Sequence, residues 1–131
     1  MEVIHVMTHE PESIGPDDML AQAQQIMNLG NFRRLPVVKD RGVVGIITER
    51  CLRGQASYLE ATKVNAVMSS PVITVGSRTA VEEAAKLMLH HKIGGMPVVD
   101  HGKLVGIITT SDILRAFLQI VGAAAKPHSA A

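Results

Sequence analysis

Laid over itself with a shift of 61 residues, the chain matches itself in order and without a gap. Val3, Val6 and Met7 fall on Val64, Val67 and Met68; Gly15 falls on Gly76, Ala23 on Ala84 and Met27 on Met88. Pro36-Val37-Val38 falls on Pro97-Val98-Val99, and Val44-Gly45-Ile46-Ile47-Thr48 on Val105-Gly106-Ile107-Ile108-Thr109. One constant offset across nearly all of 131 residues marks a tandem duplication, so both halves must fold alike. A unit of about 60 residues is marginal alone. The expected arrangement is two copies packed through their sheets about a pseudo-twofold axis, with one shared core and two equivalent clefts.

Each unit reads β-α-β-β-α. In the second, Ile73-Thr74-Val75 is a short strand between Pro71 and Gly76. Thr79 and Glu82 have capping-box spacing, and Val81, Ala84, Ala85 and Met88 recur at helical intervals until Gly94-Gly95. Residues 96–99 and 104–109 form a hairpin across Asp100-His101-Gly102. Thr110 or Ser111 caps a last helix with Ile113, Leu114, Phe117, Leu118 and Val121 on one face. In the first unit Ser13-Ile14 is the short strand, and Asp17-Asp18 opens a helix carrying Leu20, Ala23 and Met27. Residues 35–39 and 43–48 form the hairpin across Asp40-Arg41-Gly42, and Gly54 ends the helix begun at Glu49 early. The predicted class is α/β (α+β), with repeats at 1–58 and 59–122 and a flexible tail at 123–131. The central strands are apolar throughout, so both of their faces should be covered.

Phe32, Tyr58 and Phe117 are the only aromatic residues, so the core must be aliphatic. Thirteen Lys and Arg against twelve Asp and Glu leave a net charge of +1, and no helix is basic. That excludes the charge field of a DNA- or acidic-membrane-binding protein. Cys51 is the sole cysteine, which excludes an intrachain disulfide, a CxxC redox pair and a multi-cysteine zinc site, and fits a reducing compartment. No apolar run reaches the roughly 18 residues of a membrane span, and Met1-Glu2-Val3-Ile4-His5 does not begin a secretory signal. The expectation is a soluble, cytoplasmic protein. No GxSxG, P-loop, HExxH or Cys-His constellation is present, so no enzyme is expected. His90, His91 and His101 lack the spacing and the acidic third ligand of a metal site.

The duplicated blocks resemble the CBS domain, and the whole resembles a CBS pair, or Bateman module, over residues 3 to 121. The resemblance is carried by Val6-Met7 and Val67-Met68, Leu35-Pro36-Val37-Val38 and Met96-Pro97-Val98-Val99, and Gly45-Ile46-Ile47-Thr48 and Gly106-Ile107-Ile108-Thr109. It implies a non-enzymatic sensor that binds an adenosine-containing ligand: AMP, ADP, ATP or S-adenosylmethionine. It also implies a homodimer formed through the helices, for which the stripe from Ile113 to Val121 is the candidate interface, and a regulated partner in another chain. In such proteins an acid in a Thr/Ser-x-x-Asp motif holds the ribose, and basic residues before the Pro-Val strand of the other repeat hold phosphate. No other cofactor is implied.

The two copies differ at these positions. Repeat 2 has Thr109-Thr110-Ser111-Asp112; repeat 1 reads Thr48-Glu49-Arg50-Cys51, and a thiol cannot replace a carboxylate on two hydroxyls. Repeat 1 has Arg33-Arg34 before Leu35-Pro36, where repeat 2 has Gly94-Gly95. One competent site per chain is therefore expected. Asp112, Thr109 and Ser111 would lie on the ribose side, Ile73, Thr74, Gly95, Met96 and Pro97 around the base, and Arg33 or Arg34 on the phosphate. Thr48, Cys51, Ile14, Leu35 and Pro36 would line a degenerate second cleft. The competing readings are that Asp112 only caps a helix, that Arg33-Arg34 is a solvated edge, and that the protein is a dimerisation or partner-docking module without a nucleotide.

Overall fold

Two glycines at equivalent positions, Gly45 and Gly106, set the architecture. A Cβ on Gly106 would stand 2.9 Å from the carbonyl oxygen of Thr8 and against the sulfur of Met7. A Cβ on Gly45 would meet the Met68 side chain and the carbonyl of Ser69 at 3.1 Å. The opening segment of each repeat thus lies across the hairpin of the other. The computed structural model of the chain describes the backbone of residues 1–129 and the side chains of residues 1–123.

The elements run β1 (Thr8–His9), α1 (Leu20–Gly30), β2 (Arg34–Lys39), β3 (Gly42–Thr48), α2 (Glu49–Arg53), α3 (Val81–His91), β4 (Gly95–Asp100), β5 (Lys103–Thr109) and α4 (Thr110–Ser129). Short 3-10 turns at Val3–His5 and Val64–Ala66 open the two repeats. Strand β1 pairs antiparallel with β5, Thr8 opposite Ile107, giving a sheet of order β1-β5-β4. The equivalent bridge in the other half joins Ser69 to Ile46 beside the β2-β3 hairpin. Both hairpins carry a register shift at the same place, Val37/Val38 and Val98/Val99.

The expected first strands shrink to single parallel bridges, Ile14 to Val37 and Val75 to Val98. Their flanking prolines and turns give the ladder no room to lengthen. The helices also start later than the sequence suggests. Asp18 and Thr79 bind the backbone N–H groups of Gly15 and Gly76 instead, and α1 and α3 begin at Leu20 and Val81. Helix α4 is capped by Thr109, not Thr110 or Ser111, and runs to Ser129 through the stretch expected to be a tail; residues 130–131 lie outside the described residues.

The single expected core is two. Ile14, Leu20, Ala23, Met27, Leu35, Val37, Ile47 and Leu52 pack with Val64, and with Val67 and Met68 at the margin. Val75, Ala84, Met88, Met96, Val98 and Ile108 pack with Val3 and Met7. Each cluster takes the opening residues of the other repeat, because these are the apolar groups that cover its hairpin. Covalent repeats and packing units are thus offset by one segment. That exchange ties the halves together, with β3 and β5 in contact at the seam. The described residues contain no helix long and apolar enough to cross a membrane.

Candidate functional site

The first turn of α4 is organised by Asp112. Thr109 donates to the Asp112 Oδ2 atom from its backbone N–H at 2.9 Å and from its hydroxyl at 3.0 Å, and the Asp112 N–H donates back to Thr109 Oγ1 at 3.3 Å. This reciprocal cap satisfies helix-end donors that would otherwise be unpaired. Asp112 is only 7% exposed, and its Oδ1 accepts from Arg115 Nη1 at 2.9 Å. In repeat 1 half of this device is missing. The Cys51 N–H donates to Thr48 Oγ1 at 3.3 Å and the thiol lies 3.2 Å from the same oxygen, but no carboxylate is present.

A cavity of about 370 Å³, called here the Asp112 cavity after the acid that holds Thr109 from behind, is lined by Thr109, Ser111 and Ile107 from repeat 2 and by residues of repeat 1: Thr8, Glu10, Pro11, Glu12, Asn31, Phe32, Arg33, Arg34, Leu35 and Pro36; Asp112 itself is not in the lining. A second, of about 500 Å³, opens beside Cys51 and draws on the equivalent places, including Ile46, Thr48, Arg50, Ser69, Pro71, Val72, Ile73, Lys92, Ile93, Gly94 and Gly95. Arg33 and Arg34 border both. Arg33 is exposed and Arg34 is half-buried. The Arg34 side chain crosses the seam to lie on Gly94-Gly95: a Cβ on Gly95 would be 2.6 Å from its Cδ and one on Gly94 2.9 Å from Nη2. Burial lowers the pKa of Arg34 from its ordinary value, the like charge of Arg33 lowers it further, and the charge of Asp112 acts in the opposite direction. The acid of repeat 2 and an arginine of repeat 1 therefore meet electrostatically at one seam.

The CBS domain family model matches residues 3–55 and again 64–119. The chain belongs to the CBS domain family. A CBS domain-containing protein of Dictyostelium discoideum is 33% identical, covering 91% of this chain and 92% of its own length. Among solved structures, CBSX2 in complex with AMP superimposes with a TM-score of 0.82 at 29% identity, covering 91% of this chain and 97% of that one. The CBS domain pair of protein MJ0100, in complex with 5′-methylthioadenosine and S-adenosyl-L-methionine, gives a TM-score of 0.83 at 28% identity, covering 89% and 95%.

In this CBS pair the residues named from sequence are regrouped. Thr109 and Ser111 of repeat 2 share one cavity with Arg33 and Arg34 of repeat 1, and Asp112 lies behind Thr109, outside the lining. Leu35 and Pro36, assigned to the degenerate cleft, instead line the Asp112 cavity. Ile73 and Gly95, assigned to the base beside Asp112, line the Cys51 cavity with Thr48. Thr74 is exposed, Met96 and Pro97 are fully buried, Ile14 is core, and none of the four lines either cavity. The exchange of opening segments accounts for Ile73, since each segment leaves its own hairpin and walls the cleft of the other; Leu35 and Pro36 follow Arg33-Arg34 along the chain into the same cavity, and Gly95 lies under Arg34 at the seam. Thr8, Glu10, Pro11 and Glu12 were missed because of the same exchange. Arg50, Arg53 and Lys92 were missed because nothing in their spacing distinguishes a cleft rim from a solvated face.

Proposed function

We propose that this CBS pair is a non-enzymatic regulatory module that binds an adenosine-containing ligand in the Asp112 cavity, one per chain. The observation that carries this reading is a cavity built by both repeats, in which Arg33 and Arg34 of one share the lining with Thr109 and Ser111 of the other, while the buried Asp112 holds Thr109 from behind and favours the charge of Arg34. The cavity volume falls within the range of small-molecule sites. Arg115 is exposed at its outer side, so its bond to Asp112 Oδ1 exchanges readily for ribose hydroxyls. Pro11, Leu35, Pro36 and Ile107 offer an apolar wall to the base. Arg33 and Arg34 supply forked donors to phosphate. Glu10 and Glu12 also line the cavity and repel phosphate, which favours the phosphate lying at the arginines. The complexes of CBSX2 and MJ0100 support the ligand class.

The same chain presents an apolar face for self-association. Leu114, Phe117, Leu118 and Val121 of α4 are between 46% and 66% exposed and recur at helical spacing. A homodimer through this face carries the ligand signal to a partner protein in trans.

A thermal-shift panel of AMP, ADP, ATP and S-adenosylmethionine tests the binding reading. A ligand at 100 times its dissociation constant adds about 2.7 kcal/mol of stability. A shift with none of them would leave the dimerising or docking module as the function.

A further inference from the structure

The Cys51 cavity is not a weakened copy of the Asp112 cavity; its chemistry is different. Five cations border it, Arg33, Arg34, Arg50, Arg53 and Lys92, against the single carboxylate of Glu49. This is a large local excess in a chain whose net charge is +1. Among the described residues the ion pairs are Lys63 with Asp17, Arg78 with Glu2 and Arg115 with Asp112, so none of the five is in an ion pair, and only Arg34 feels a carboxylate at longer range, that of Asp112. Arg34 is half-buried as well, held against the bare backbone of Gly94-Gly95. Burial and the charge of Arg33 both disfavour its cationic form, and a bound anion would relieve both. A concave site lined by one sign of charge concentrates ligands of the other.

We infer that the Cys51 cavity is an oligophosphate site, one that grips a chain of phosphates and reads no sugar. Cys51 stands where a ribose-binding acid would be, and its thiol is already engaged with Thr48 Oγ1, so vicinal hydroxyls find no carboxylate there. Guanidinium forks match phosphate oxygens two at a time. The phosphates come either from a free oligophosphate or from the tail of a nucleotide whose nucleoside lies in the Asp112 cavity, since Arg33 and Arg34 border both spaces. The site goes beyond the adenosine reading and stands without it.

Calorimetric titration of the full chain with inorganic tripolyphosphate tests this. The expected result is saturable binding that weakens at high salt, as screening requires. The double substitution Arg50→Ala with Arg53→Ala weakens it by about tenfold or more. Both side chains are exposed, so the fold tolerates their loss; unfolding without ligand checks this. Lys86→Ala with Lys103→Ala removes the same charge from surfaces outside both cavities and leaves the affinity unchanged. Cys51→Asp places an anion in the cavity and weakens tripolyphosphate. Competition identifies the source: exclusion of tripolyphosphate by ATP but not by AMP marks a nucleotide tail, and simultaneous binding with either nucleotide marks a free chain. Absence of tripolyphosphate binding, equal weakening by the two lysine substitutions, or wild-type affinity in the arginine double variant would overturn the site, whatever AMP does.

Discussion

Replacing Asp112 with alanine separates two roles that the structure gives to one carboxylate. Its Oδ2 closes the cap on α4 with Thr109, and its Oδ1 holds Arg115. Losing a helix cap costs about 1 kcal/mol. The Arg115 pair adds little, because that side chain is 65% exposed. For a chain of this size the sum corresponds to a melting temperature lower by about 4 °C. Ligand binding loses more. A carboxylate accepting from ribose hydroxyls contributes about 1.5–3 kcal/mol, so AMP should bind about tenfold to about 100-fold more weakly. Asp112→Asn keeps an acceptor for the Thr109 bonds and recovers most of the stability but only part of the affinity. Arg115→Ala keeps the cap, frees Oδ1 and binds AMP at least as tightly as the unaltered chain. Fluorescence-monitored melting without ligand and calorimetry with AMP read the two effects separately. If Asp112→Ala melts lower yet binds AMP with undiminished affinity, the carboxylate is a cap and nothing more.

Gly106→Ala drives a methyl group against the Thr8 carbonyl, which the backbone of β1 cannot withdraw; the cost should be about 1–3 kcal/mol in urea unfolding. Arg41 holds φ at +71° in the first hairpin turn, where the second repeat has Gly102 at +77°, so Arg41→Gly should stabilise by about 0.5–1 kcal/mol, measured by the same assay. Phe117→Asp, at a position 59% exposed on the apolar face of α4, should convert dimer to monomer in light scattering without lowering the melting temperature of the monomer. Asp100 accepts from Ser77, side chain and backbone, which holds its pKa below the usual carboxylate value. A depressed folded-state pKa stabilises above the unfolded value of about 3.9 and is lost as pH falls through the folded one. Asp100→Asn should therefore lower stability at neutral pH, flatten the acid limb in that window and leave the stability below it nearly unchanged, as pH-dependent urea unfolding would read.

The duplication, the hairpins and the difference between Asp112 and Cys51 were legible because they depend on residue identity at a fixed offset. Which half the opening segments cover was not, since an offset of 61 residues is equally compatible with each segment packing on its own hairpin or on the other. The signal was present in Gly45 and Gly106: a glycine inside an apolar strand marks a close approach, and Met7 and Met68 are the residues that approach. That approach also carries Ile73 into the cleft beside Thr48. Thr110 and Ser111 were the expected caps, but the acid three residues after Thr109 is the partner that makes Thr109 the cap.

The difference between the clefts follows from the duplication itself. Near a pseudo-twofold axis equivalent residues face each other, so a residue placed there in both repeats meets its own copy. Two arginines at positions 34 and 95 would collide and repel; the chain has Arg34 lying on Gly95. Once one repeat supplies the arginines for both cavities, the remaining charges decide what each cavity holds. Glu10 and Glu12 line one, with Asp112 behind its Thr109, and Arg50, Arg53 and Lys92 line the other. The acids suit hydroxyls and an exocyclic amino group, which donate, and the bases suit phosphate. Restoring the symmetry with Gly95→Arg should therefore damage both cavities together, because the new side chain occupies the space through which Arg34 reaches the seam.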